Sequence, residues 1–126
     1  MNGLFAVAIG GAVGASGRYL LSAQMLHWFG SSFPWGTFSA NLIGSFIMGF
    51  VAEGLALKFH LSPEMRSFVM TGLLGGFTTF SAFSLDAANM MERGDGLLSL
   101  LYVGGSVIGA IAALFAGLYF VRLVLV

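Results

Sequence analysis

No cysteine occurs in the chain. That excludes disulfides, thiolate nucleophiles and any sulfur-ligated metal. Charge is almost as scarce: five Lys and Arg face five Asp and Glu, 8% of the residues, and the formal net charge is zero. Soluble domains carry roughly 25% charged residues, and so few cannot cover a surface that meets water. There is no basic excess to attract nucleic acid. The two histidines, His27 and His60, fall near the ends of apolar runs and receive no role. No His and Glu share a metal-ligand spacing, and no candidate nucleophile has a base partner, so an enzyme is not expected. The start, Met1-Asn2-Gly3-Leu4, lacks the basic region of a cleavable signal peptide. The first apolar run is therefore expected to stay in the membrane.

What is present is apolar. Hydrophobic residues make up 58% of the chain, mean hydropathy is +0.96, and lipid is the consistent solvent. With 126 residues, a single domain over 1–126 is expected. A helix needs about 20 apolar residues to cross the hydrocarbon core. Four runs qualify, at about 3–22, 35–57, 66–91 and 97–123, which predicts an all-α membrane protein with four transmembrane helices. Gly30-Ser31-Ser32-Phe33-Pro34 and Glu92-Arg93-Gly94-Asp95-Gly96 read as connectors. Ser62-Pro63-Glu64 reads as a helix start, with Ser62 as N-cap and Pro63 in the first turn. Trp28 and Trp35 flank the first connector as an interfacial aromatic belt would.

Four spans put both termini on one side. Lys58, Arg66 and Arg122 then oppose Arg93 and Arg18, three basic residues against two. The positive-inside rule needs a clear excess to fix orientation. Insertion both ways up, with assembly as an antiparallel homodimer, stands beside a single orientation set by one charge. Small residues recur at helical spacing: Gly10, Gly14 and Gly17; Ala40 and Gly44; Gly105, Gly109, Ala113 and Gly117. Such stripes let membrane helices pack closely. Four helices leave little room for a pore inside one bundle, so a transport path is expected between subunits.

The third run holds the densest group of candidates, Gly72-Leu-Leu-Gly-Gly-Phe-Thr-Thr-Phe-Ser-Ala-Phe-Ser84. Backbone that loosens at membrane depth must be satisfied by protein, an ion or water. Gly75-Gly76 and Thr78-Thr79 can expose carbonyls to a cation or form a kink stabilised by hydroxyls. Phe77, Phe80 and Phe83 can form one row, offering positive ring edges to an anion or plain packing. On the second run Asn41, Gly44, Ser45, Met48 and Ala52 share a small, weakly polar face. Asn41 offers its amide to an anion or to a neighbouring helix. Tyr102 and Ser106, four apart, can line a hydrogen-bonding track or pack. Arg18 is costly inside an apolar run. It either pairs with carbonyls, lines an electropositive vestibule or snorkels to the interface. Asp86 lies one turn past Phe83, at the mouth of any pathway there, and Glu53 lies near the end of its span.

Three segments together resemble the Fluc (CrcB) family of small fluoride channels: Gly14-Ala-Ser-Gly-Arg-Tyr19, Gly36-Thr-Phe-Ser-Ala-Asn-Leu-Ile-Gly-Ser-Phe46 and the run 72–84. The likeness covers nearly the whole chain, in order and on the right spans. It implies a passive fluoride-selective channel that exports fluoride from a bacterial inner membrane, built as an antiparallel dual-topology homodimer with two pores. Helix 3 would be broken near the midplane. Phe80 and Phe83 would meet fluoride along the pore, Asn41 would supply an amide and Ser81 a nearby hydroxyl. Tyr102 and Ser106 would form a polar track that weakens one turn on, where Ala110 stands. The carbonyls of Gly75 and Thr78, from both subunits, would hold a structural sodium ion at the dimer centre. Arg18 and Thr37 would belong near the vestibule. The alternative is a small multidrug-type proton-coupled exporter, which wants an embedded carboxylate and finds only Glu53. A non-transporting membrane subunit is the third reading.

Overall fold

Asn2 opens the first helix, its side chain accepting from the Phe5 N–H at 3.0 Å. This N-cap satisfies a donor that the first turn would leave bare. Helix α1 runs Gly3–Phe29 and stops at Gly30, which takes φ 77° and returns its N–H to Leu26 O. That left-handed turn suits glycine. The computed structural model describes residues 2–125. Helix α2 is Trp35–Leu57. Helix α3 covers 63–77 and begins as its sequence implies, with the Ser62 hydroxyl accepting from Met65 N and Pro63 in the first turn. After Pro63–Arg66 it widens into a π-helical stretch, Ser67–Leu74, and ends with the turn Gly75–Phe77. Thr78 and Thr79 are then extended, at φ −90°, ψ 158° and φ −155°, ψ 128°. Helix α4 is Phe80–Glu92 and α5 is Gly96–Leu125.

Four segments are long and apolar enough to cross a membrane: α1, α2, the pair α3–α4 over Pro63–Glu92, and α5. The chain is an all-helical, multi-pass membrane protein. Three of the four segments outrun the expected apolar spans, while α2 matches its span. Helix α1 continues past residue 22 to Phe29, because Ser22 and Gln24 tolerate helix and nothing stops the backbone before Gly30.

Glycines set how the helices meet. A Cβ on Gly10 would come within 2.5 Å of Phe68 O, and one on Gly14 would collide with Leu73 O. From the other side, a Cβ on Gly76 would come within 2.7 Å of Gly11 O. Helix α1 therefore lies backbone to backbone on α3, where carbonyls tilted out of the wide π turns meet a neighbour without side chains. The pair α2 and α5 repeats the device: Cβ atoms on Gly49 and Gly117 would collide with Leu114 O and Phe46 O. Gly105 and Gly109, expected in the same stripe, meet only the side chains of Phe38 and Leu42, at 3.9 and 3.5 Å. Apolar side chains gain little by leaving lipid, so this close packing and its dispersion hold the bundle together.

The buried apolar cluster lies toward the α1–α2 connector, where Phe83, Met90 and Tyr102 pack with Phe33. The Phe33 ring stands edge-on to Tyr102 at 5.3 Å. At the opposite end Glu53 on α2 pairs with Arg122 on α5, and Arg122 also covers the Tyr119 ring at 5.2 Å. Arg93 ties two connectors together, binding Asp95 at 2.7 Å and Ser32 O at 2.6 Å.

Candidate functional site

The α3–α4 interruption is held by Asn41. Its Nδ2 donates to Thr79 O at 3.1 Å, and its Oδ1 accepts the Thr79 N–H at 2.8 Å. The amide pairs with extended backbone as a neighbouring strand would. One Nδ2 hydrogen and one Oδ1 lone pair of Asn41 remain, and the rest of the amide holds the break. Thr79 does a second job. Its Oγ1 accepts from Ala82 N at 3.2 Å and starts α4. Sequence reading named the Thr-Thr pair but gave Thr79 no site role. The available signal was a threonine three residues before a helical N–H, the N-cap spacing.

The same bonding frees a carbonyl. In a continuous helix the Thr79 N–H would bond back to Gly75 O; here it goes to Asn41. Thr78 closes onto Leu74 O with both its N–H, at 3.0 Å, and its hydroxyl, at 2.9 Å. Arg18 Nε reaches the next carbonyl, Gly76 O, at 3.3 Å. A cation at the end of a helix opposes the negative end of its dipole. Gly75 itself is exposed, and a Cβ there would touch only Met70 O at 3.7 Å.

Beside the break is a groove of about 360 Å³ between α2, α4 and α5, whose walls include Asn41, Thr78, Phe80, Phe83 and Ser106. No charged side chain lines it. Phe80 and Phe83 lie 5.5 Å apart between ring centroids, tilted by 49°. Phe83 is 8% exposed and Phe80 77%, so one ring is anchored and the other stands free of its own chain. Opposite them, Ser106 is 5% exposed. Its Oγ is the buried side-chain polar atom without a hydrogen-bond partner among the described residues. A buried hydroxyl left unpaired costs about 1–3 kcal/mol. Such a cost is explained when a ligand or water completes the bond.

The remaining candidates lie outside this groove. Tyr102 is buried, 5.1 Å from the Phe83 ring, and its hydroxyl donates to Asp86 Oδ2 at 3.2 Å. Asp86 is thus partnered by that hydroxyl. Ser81 is exposed, its Oγ 3.3 Å from Thr79 Oγ1. Thr37 lines a second cavity of about 310 Å³ under the connectors, with Asp86, Asn89 and Arg93. Arg18 does not line that cavity, although Ser22, one turn further along α1, does. The reason is local: α1 brings Arg18 level with the end of α3, and the free carbonyl there takes its Nε.

A family model described as CrcB-like protein, Camphor Resistance (CrcB), matches residues 5–118. The chain belongs to the CrcB family. Among curated relatives of this CrcB chain, a protein of Rhizobium meliloti (strain 1021) named fluoride-specific ion channel FluC is 49% identical over 122 residues, covering 97% of this chain and 98% of its own. A protein of the same name from Chelativorans sp. (strain BNC1) is 50% identical over 125 residues, covering 99% and 100%. A third, from Allorhizobium ampelinum, is 51% identical over 118 residues, covering 94% of each chain. The CrcB match reaches into all four apolar segments and covers the whole groove.

Proposed function

We propose that the chain is a passive fluoride-selective channel that lets fluoride leave the cell down its electrochemical gradient. The observation that carries this reading is the Ser106 hydroxyl, buried without a partner on an uncharged groove that also holds the Asn41 amide and the Phe80–Phe83 pair. Fluoride is small and strongly hydrated, so a pore must replace its water with many donors. Hydroxyl, amide and ring-edge groups do so without a fixed positive charge that would trap the ion. The names of the relatives support fluoride as the ion.

Hydrogen fluoride is a weak acid that crosses membranes neutral and ionises inside. A membrane potential then favours anion exit by roughly 2.3 kcal/mol per 100 mV. Passive flow suffices, and no proton-carrying carboxylate is needed. This weighs against an exporter built on Glu53, whose carboxylate is engaged by Arg122. No charged side chain lines the groove to activate one of its hydroxyls, and the relatives are named as channels.

In this reading the functional unit is an antiparallel homodimer in a bacterial inner membrane. The interruption at 78–79 falls at the middle of the 30-residue segment Pro63–Glu92, hence near the bilayer midplane. The free Phe80 ring and the open Gly75 surface face the second copy. The carbonyls of Gly75 and Thr78 would hold the sodium ion together with those of the partner. Oxygen-only, uncharged donors fit a hard monovalent cation, and the diversion of the Thr79 N–H to Asn41 leaves Gly75 O without its helical bond. When bound, that ion supplies a fixed positive charge that joins two helix ends.

The deciding experiment is efflux from liposomes containing only this protein, read with fluoride and chloride electrodes. Fluoride release with chloride retained is expected; equal release of both ions, or none of either, refutes the proposal. Phe83→Ile and Phe80→Ile are each expected to slow fluoride release at least about tenfold, the loss of roughly 1.4 kcal/mol of ring-edge stabilisation, with assembly unchanged on size exclusion. Wild-type rates in both variants would remove the rings from the pathway. Glu53→Gln is expected to leave fluoride efflux within about twofold of wild type. Its pair is partly solvated and such pairs are worth about 1 kcal/mol or less. A collapse of transport in that variant would bring the proton-coupled reading back.

A further inference from the structure

The donor row on α5 is short. Ser106 is followed one turn later by Ala110, which lines the same groove and has nothing to donate. Beyond it the wall becomes Met48, Ile111 and Leu114. An ion that left Ser106 along α5 would meet only hydrocarbon.

The facing helix offers a replacement. Ser45 follows Asn41 by four residues, so the two lie on one face of α2, and both line the groove. Its depth can be fixed from packing. Leu42 lies against Gly109 at 3.5 Å, and Gly49 lies against the Leu114 backbone. Ser45 sits between these contacts and is therefore level with residues 110–113. Mid-helix serine and threonine hydroxyls commonly bond back to the carbonyl four residues earlier. Thr78 and Ser84 do so here, onto Leu74 O and Phe80 O, whereas among the described residues the Ser45 hydroxyl makes no such bond. The wall thus carries two hydroxyls without protein partners: the buried Ser106 and, deeper, Ser45.

We propose that Ser45 forms a second anion position in the groove, at least a helical turn deeper than Ser106. Ser45 supplies from α2 the hydroxyl that Ala110 does not supply from α5. This inference rests on the fluoride-channel reading and adds a residue to it. An anion held by Ser106, Asn41 and the rings would step to Ser45, and so pass the level at which α5 turns apolar. Two adjacent weak sites favour conduction, because neither binds tightly enough to trap the ion.

The test uses full-length protein in liposomes and a fluoride electrode. Ser45→Ala is expected to slow fluoride efflux about tenfold, and Ser45→Thr, which keeps the hydroxyl, to stay within about threefold of wild type. Adding Ala110→Ser to Ser45→Ala places a hydroxyl at the same depth from the opposite wall. It is expected to recover at least half of the lost rate, which a purely structural role for Ser45 would not allow. A wild-type rate in Ser45→Ala overturns the proposal. So does a slow Ser45→Ala that Ala110→Ser leaves slow, because the loss then reports packing. Wild-type protein that releases no fluoride refutes the channel reading and this one together, whereas failure of the Ser45 series alone leaves the channel reading standing.

Discussion

Asn41→Asp is expected to stop fluoride efflux while leaving the protein folded and assembled. The substitution is isosteric, and the remaining Oδ1 still accepts the Thr79 N–H that Asn41 accepts at 2.8 Å. Two things change. The donor to Thr79 O is lost, and a negative charge now lines a groove that otherwise carries none. A fluoride ion about 5 Å from that carboxylate, at an effective dielectric constant of about 20, is repelled by roughly 3 kcal/mol. That corresponds to a rate loss on the order of a hundredfold. Asn41→Ala separates the two effects. It removes both bonds to Thr79 without adding charge, leaving an N–H and a carbonyl unpaired at about 1–3 kcal/mol each. Its first symptom should be a lower melting temperature in detergent. Efflux from Asn41→Asp within tenfold of wild type would take the amide out of the pathway and leave it as a clamp only.

That dual role is where sequence reading reached its limit. Hydropathy alone identifies four spans, because lipid imposes a simple length rule. Ser62-Pro63-Glu64 starts its helix as capping chemistry requires. For Asn41, however, the sequence left two options open, an anion donor or a bond to another helix. Only the fold shows that most of the amide is spent on Thr79. The Gly75-Gly76 pair carries a similar lesson. Adjacent glycines read as loosened backbone, yet the chain stays helical through Phe77. Gly76 is needed because α1 lies against it, and the extended residues are the two threonines. The π-helical register of Ser67–Leu74 has no local signature either. It pairs with Gly10 and Gly14, some sixty residues away in sequence, which only tertiary contact brings into register. Arg18 was visible as an expense, with pairing to carbonyls among its expected fates, but which carbonyl takes it, Gly76 O, is set by tertiary contact.

Gly75→Leu carries the largest expected effect on assembly, and the sign of its local energetics makes the result easy to read. Within one chain the change is harmless. A Cβ at this position meets only Met70 O, at 3.7 Å, on an exposed surface. Leucine is also a better helix former than glycine by nearly 1 kcal/mol, so an isolated chain should if anything be firmer. Gly14 is the contrasting case: a Cβ there collides with Leu73 O, so Gly14→Leu must push α1 off α3 and is expected to lower helicity and yield. If the Gly75 and Thr78 carbonyls of two copies close around one sodium ion, a leucine at 75 stands where the partner must approach. Gly75→Leu should then keep its circular dichroism, elute as a monomer and pass no fluoride. Exchanging sodium for N-methylglucamine should weaken the wild-type assembly and have no further effect on the variant. A Gly75→Leu protein that remains a dimer and conducts at the wild-type rate without sodium would place the partner elsewhere. The free Gly75 carbonyl would then be a consequence of the Asn41 clamp alone, since the diverted Thr79 N–H leaves it unpaired with or without an ion.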